Sequence, residues 1–244
     1  MPADRRRQVA GGRALALVDK STNEDLITFG GAMNDRFDRA DAPTAAKGAG
    51  DLPSNREYLA EWVEEKQGTA LRLTYDDPEI APMGARIEKT VRLVAPDAVE
   101  ISYRISRVAT APAGLRGNSP SGQAFLSMLS VPLAGAGDGP ARFCWKPPES
   151  SGLAKASPVL AKAAADPHCE DITPSREPIL IPEGISRLEI QTAGHSTLAV
   201  GWASGRARIV PKKFSVQVEF AFPLPARGAA PGEFTLRYTI ASGP

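Results

Sequence analysis

The sequence predicts an all-β protein, one large antiparallel two-sheet β-sandwich with one or two short helices. Three observations carry that expectation. Long runs alternate apolar and polar residues, the pattern of a strand with one buried face. Glycine and proline number 22 each, which suits many short strands joined by turns. The strand–helix–strand rhythm of a nucleotide-binding fold is missing, and no repeat of fixed period is found. A chain of 244 residues fits one such domain, expected over 10–244 behind a disordered tail at 1–9.

The alternation is clearest in Val99-Glu100-Ile101-Ser102-Tyr103-Arg104-Ile105. The preceding run does the same with Ile87, Val91 and Leu93, broken only by Lys89, and Ala95-Pro96-Asp97 separates the two as a hairpin. Near the C-terminus Phe214, Val216, Val218, Phe220 and Phe222 alternate with Ser215, Gln217, Glu219 and Ala221. Phe234, Leu236, Tyr238 and Ile240 repeat the pattern beyond a Pro/Gly-rich link at 223–232. Further strands are expected at 13–18, 69–75, 124–131, 187–191 and 197–202. The 124–131 run is apolar on both faces, as in a fully buried strand.

Two segments compete as helices. Ser54-Asn55-Arg56-Glu57 matches a capping box, with Leu59, Trp62, Val63 and Lys66 at helical spacing. The same stretch, followed by Gln67-Gly68-Thr69, reads also as a strand turning into 69–75, and the hairpin-like turn favours the strand. The Ala- and Lys-rich stretch 153–165 reads as a short helix. Loops are expected at 38–53, 109–122 and 134–152, and loops on a rigid scaffold are where binding residues gather.

Composition excludes some functions. With 29 basic and 28 acidic residues the net charge is +1, so no electrostatic footprint for nucleic acid exists. Arg5-Arg6-Arg7 reads as a solvated tail. No run approaches the ~20 apolar residues that span a bilayer. Residues 1–12 hold charge but no apolar stretch, so they are not a complete signal peptide. A cytoplasmic location and export by a leader preceding this sequence both fit. The cysteines are Cys144 and Cys169. They are either two thiols in a reducing compartment or one disulfide, which would stabilise by roughly 3 kcal/mol. His168 beside Cys169 lacks the second ligand pair of a zinc site, so no metal and no cofactor is expected.

Catalytic motifs are absent. There is no G-x-S-x-G elbow, no P-loop and no dinucleotide fingerprint. The histidines are His168 and His195, both in turn-like contexts where a solvated ring is the simpler reading. The adjacent pairs Asp76-Asp77, Glu64-Glu65 and Glu170-Asp171 would point to opposite faces of a strand, so adjacency makes no acid–base pair. Trp145, in Arg142-Phe143-Cys144-Trp145-Lys146-Pro147-Pro148, sits in a loop-like context and is either a core residue or a platform for a sugar's C–H face. Trp202 continues a strand alternation and reads as core, while Trp62 is undecided. Asn34-Asp35-Arg36 follows two glycines and reads as a tight turn presenting side chains at a sheet rim, or a surface salt bridge there.

The order of segments carries a resemblance. Gly11-Gly12-Arg13 leads a hydrophobic run ending in Asp19-Lys20, and Gly30-Gly31 to Asp35 follows. Arg86 to Leu93, then Ala98 to Ile105, write hydrophobic-x-K-x-hydrophobic and hydrophobic-x-hydrophobic-x-Y, and Lys213 to Phe222 forms a late strand. This order resembles galactose mutarotase-like super-sandwich domains, which occur in aldose epimerases and beside glycoside hydrolase catalytic domains. Catalytic members use two histidines, an aspartate and a glutamate around the sugar ring, and their Asn-His motif has no counterpart here. The resemblance therefore implies a non-epimerising copy. A non-catalytic saccharide-binding domain would use Asp35, Arg36, Trp145 and His195. An epimerase or other glycan-processing enzyme of the same fold would use His195 or His168 as acid and Glu219 or another strand carboxylate as base. A structural or protein-interaction domain of an envelope or secreted assembly is the third expectation.

Overall fold

The computed structural model describes residues 7–10, 12–14, 16–20, 23–27, 31–39, 57–66, 68–76, 85–107, 123–133, 141–146, 167–191 and 196–241. Every regular element among them is a strand; fifteen form two large antiparallel sheets, and two near the start of the chain pair as a small third sheet. The chain opens with β1 (Arg7–Ala10), β2 (Val18–Asp19), β3 (Glu24–Asp25) and β4 (Asn34–Arg39). The meander β5 (Glu57–Glu65), β6 (Gly68–Asp76), β7 (Ala85–Ala95) and β8 (Ala98–Arg107) follows. Then come β9 (Gln123–Pro132), β10 (Ala141–Trp145), β11 (His168–Ile172), β12 (Ile179–Leu180) and β13 (Arg187–Gln191). The last four are β14 (Thr197–Trp202), β15 (Arg206–Pro211), β16 (Ser215–Pro223) and β17 (Gly232–Ala241).

The larger sheet has ten strands in the order β1-β5-β6-β7-β8-β17-β14-β13-β10-β11, and the smaller has five, β12-β15-β16-β9-β4. From β8 onward the chain alternates between them: β9 crosses to the smaller sheet, β10 returns, and later strands repeat the exchange. Strands of both sheets contribute to one buried apolar cluster, as burial of one apolar side per strand demands. β9 lies inside the smaller sheet, and Phe125, Leu126, Met128 and Leu129 are buried on both its faces.

The ambiguous 54–66 region is strand wherever it is described. β5 pairs with β1 on one side and β6 on the other, which a helix could not do. Gly68, at φ +113°, makes the turn into β6 in a conformation that costs glycine little. The helix expected at 153–165 lies outside the described residues. β1 takes in residues 7–9, which the sequence assigned to the tail. The strand expected at 13–18 is not continuous. Ala14 makes a single bridge to Ala32, and Leu17 turns its N–H to the Asp25 carboxylate and its carbonyl to the Leu26 N–H. Those local bonds satisfy the backbone without a ladder.

The core concentrates aromatic rings between the sheets. Phe222 stacks on Phe234 at 3.9 Å between centroids, and Phe234 also stacks on Tyr103 at 5.2 Å. Phe125 meets Tyr103 edge-on at 5.4 Å, and Phe37 meets Phe125 at 5.7 Å. One inner row of the larger sheet reads Ala60, Leu73, Lys89, Tyr103, Phe234 across five strands. Lys89 thus keeps the alternation of its strand and points inward, a charged residue in an apolar row.

Candidate functional site

A cleft of about 550 Å³ opens where β10 ends, lined by Cys144, Trp145, Lys146, Pro167, Gly184, Ser186, Arg187 and Glu189. Its walls follow from strand geometry. β10 pairs with β11 on one side and β13 on the other, so Cys144 stands opposite both Cys169 and Glu189. Cys144 and Cys169 form a disulfide, which answers the question the two cysteines posed and ties the edge strand β11 to the sheet. Arg187 and Glu189, two residues apart on one strand face, pair at 3.2 Å on the open side.

Trp145 is not in a loop. It closes β10, follows Ala141 and Phe143 on the inward face, and belongs to the core at 6 % exposure. Its partner across the ladder is His168, whose ring centroid lies 4.7 Å away. The indole is therefore a buried wall of the cleft, and the cations and hydroxyl around it are the groups open to a ligand. His168 is itself exposed, with Nε2 2.9 Å from Glu170 Oε1. Arg176 takes the other oxygen of that carboxylate. The His168 bond first, then Arg176, holds the Glu170 carboxyl below the usual carboxylate range.

Asp35 and Arg36 are not in a turn; both lie in β4, paired with Ser127 and Leu126 of β9. Two-residue periodicity sends them to opposite faces. Asp35 is fully buried between the sheets against Lys89, with no surface at a rim. Arg36 points out of the smaller sheet to Glu219 at 3.3 Å. Glu219, the alternative base, is itself 1 % exposed and holds a second guanidinium from Arg208. Two guanidiniums occupy its oxygens and it is buried, which leaves it no open face toward a substrate. His195 lies outside the described residues. Sequence reasoning missed Lys89 and Tyr103 as a polar centre; the lysine breaking an apolar alternation was the one available signal.

Trp62 lies on the same strand face as Tyr58 and Ala60, yet 59 % of it is exposed. Leu71 and Val91 continue its row, and Leu93 stands exposed at 67 %. No helix of the described residues is long and apolar enough to cross a membrane. No group of three or more metal-ligating side chains occurs among them.

No family model matches the sequence, and no curated protein matches it. Among solved structures, the chain is similar to a 4-alpha-glucanotransferase from Thermococcus litoralis, with a TM-score of 0.41 and 14 % identity. The match covers 86 % of this chain but only 28 % of that one, and likeness at this level carries no argument about activity.

Proposed function

We propose that this chain is a non-catalytic, carbohydrate-associated sandwich domain that seats a saccharide in the cleft beside Trp145. The observation behind the reading is the cleft's composition. A space of about 550 Å³, within the usual range for small-ligand sites, is bordered by an indole and by Lys146, Ser186, Arg187 and Glu189. Sugar hydroxyls need donors and acceptors held in fixed geometry, and the Arg187–Glu189 pair offers both. The disulfide in the cleft wall keeps that frame rigid and fits an oxidising compartment. A binding role is favoured over catalysis because Glu219 and Glu170 are each already held by two partners.

The test is a glycan array followed by thermal-shift titration of the positives, repeated with Arg187→Ala and Lys146→Ala. Trp145→Ala is less suitable because that side chain is core. The expected result is saccharide-dependent stabilisation that weakens at least several-fold in Arg187→Ala. No shift with any saccharide would remove the reading. A second reading, a protein-interaction domain, rests on the exposed Trp62 and Leu93. It gains if Trp62→Ser, with the cleft intact, abolishes association with a partner.

A further inference from the structure

The core holds a buried ion pair that the cleft does not use. Lys89 comes from β7 of the larger sheet and Asp35 from β4 of the smaller, and both side chains are 0 % exposed. Lys89 Nζ stands 2.5 Å from Asp35 Oδ2. The two carboxylate oxygens are held differently. Oδ1 accepts a hydrogen bond from the Tyr103 hydroxyl at 3.2 Å, and that hydroxyl shares a 2.8 Å hydrogen bond with Ser127 Oγ. Oδ2 accepts no well-aligned hydrogen bond and faces the amine. Nζ also donates to the Gly12 carbonyl at 2.9 Å and, at 3.5 Å, to that of Met33. The Tyr58 ring lies 4.6 Å from the same nitrogen, so water is excluded around it.

We propose that Lys89 and Asp35 condense into an intramolecular amide, a covalent tie between the two sheets. The step balances without any co-reactant. A proton passes from the ammonium to Oδ2, leaving a neutral amine and a carboxylic acid. The amine lone pair attacks Cγ, and the Cγ–Oδ2 bond breaks. Oδ2 departs with two hydrogens as water, and one hydrogen stays on the new amide nitrogen.

Three features favour the product. A buried ion pair carries a desolvation cost that a neutral amide does not. The Tyr103 hydroxyl already sits on Oδ1, where negative charge develops in the tetrahedral intermediate. The product keeps both hydrogen bonds it needs: its N–H retains the Gly12 carbonyl, and its C=O retains Tyr103. Burial acts in the same direction, pushing the Asp35 carboxyl up and the Lys89 amine down, toward the neutral forms that react.

The experiment is intact-mass measurement of the folded, purified chain after reduction and denaturation. The expected mass is that of the sequence less one water, with a tryptic map showing a branched peptide joining position 35 to position 89 and no cleavage after Lys89. Lys89→Met should restore the full mass. A full-length mass in the wild-type chain, with linear peptides carrying a free Lys89 amine, overturns the proposal. So does a water loss that maps to any other position. Because the wild-type mass and map decide alone, a variant that fails to fold does not blunt the test.

Discussion

Asp35 and Arg36 are neighbours on one strand, and they enter opposite regimes of electrostatics. Asp35 turns into the sandwich and meets a single cation, Lys89, with neither group touching solvent. Arg36 turns outward and joins Glu219, which shares its carboxylate with Arg208, and the two guanidinium side chains keep 23 % and 32 % of their surface. Both clusters pair opposite charges at short range, yet their energetics differ. On the outer face, water reaches both guanidiniums, although Glu219 between them is 1 % exposed. Between the sheets it reaches neither group, so an orphaned charge there bears its full desolvation cost.

That difference is open to measurement. The largest effect is expected from Lys89→Met, which severs the Lys89–Asp35 tie between the sheets and leaves the Asp35 carboxyl buried without its lysine partner. A loss of about 3–5 kcal/mol should appear in urea unfolding, and adding Asp35→Leu should recover much of it. Equal losses in the single and double variants would mean that packing, and not charge, governs the site.

Replacing both cysteines of the 144–169 bridge by serine comes next. The cross-link closes a sequence separation of 25, and its removal should cost about 3 kcal/mol in the chain-entropy picture. This change acts mainly on the unfolded chain, so it should add to the Lys89 effect without interaction. A double-mutant coupling above about 0.5 kcal/mol would contradict that independence.

Glu219→Gln tests the outer cluster. It removes the charge that two part-exposed guanidiniums share while keeping shape, and about 1–2 kcal/mol is expected. A loss matching that of Lys89→Met would erase the distinction between the faces. Smaller again is Arg206→Ala, whose partner Glu183 is 79 % exposed; a change of under about 1 kcal/mol is expected.

The pH dependence sharpens the same comparison on the outside of the larger sheet. The hydrogen bond from Arg92 lowers the Glu65 carboxyl below its ordinary value of 4.5. A folded value below the unfolded one stabilises the fold above that ordinary value, and the contribution fades as pH falls through the folded value. Stability measured across the acid range should therefore show a shallower slope in Glu65→Gln. An unchanged slope would assign the acid sensitivity elsewhere.

Much of the architecture was legible in the chain. The hairpin at 87–105, the late strands from 215 and 232, and the strands at 187–191 and 197–202 all follow from period-two alternation, because a strand side chain has only two faces to choose from; Phe214, which the alternation put at the head of its row, instead precedes the strand and is 73 % exposed. Residues 57–65 of the disputed segment are strand, paired with β1 and β6, and their Tyr58 and Ala60 face the core. The candidate site was far less legible. The prolines and cations around Trp145 leave its role open between core and sugar platform, and its strand parity with Phe143 makes it core. Asp35 and Arg36 were grouped as one turn, and the sheet separated them.

By itself the sequence determined the strands with long alternating runs, such as 85–107, 215–223 and 232–241, and which side of each is apolar, since both depend on local spacing. It could not determine which strand faces which across the interior. Lys89 and Asp35 lie 54 positions apart and on different sheets. Nothing local in either segment names the other. Only the stacking of the two sheets, driven by burial of their apolar faces, brings a lone cation and a lone anion together where neither can be left unpaired.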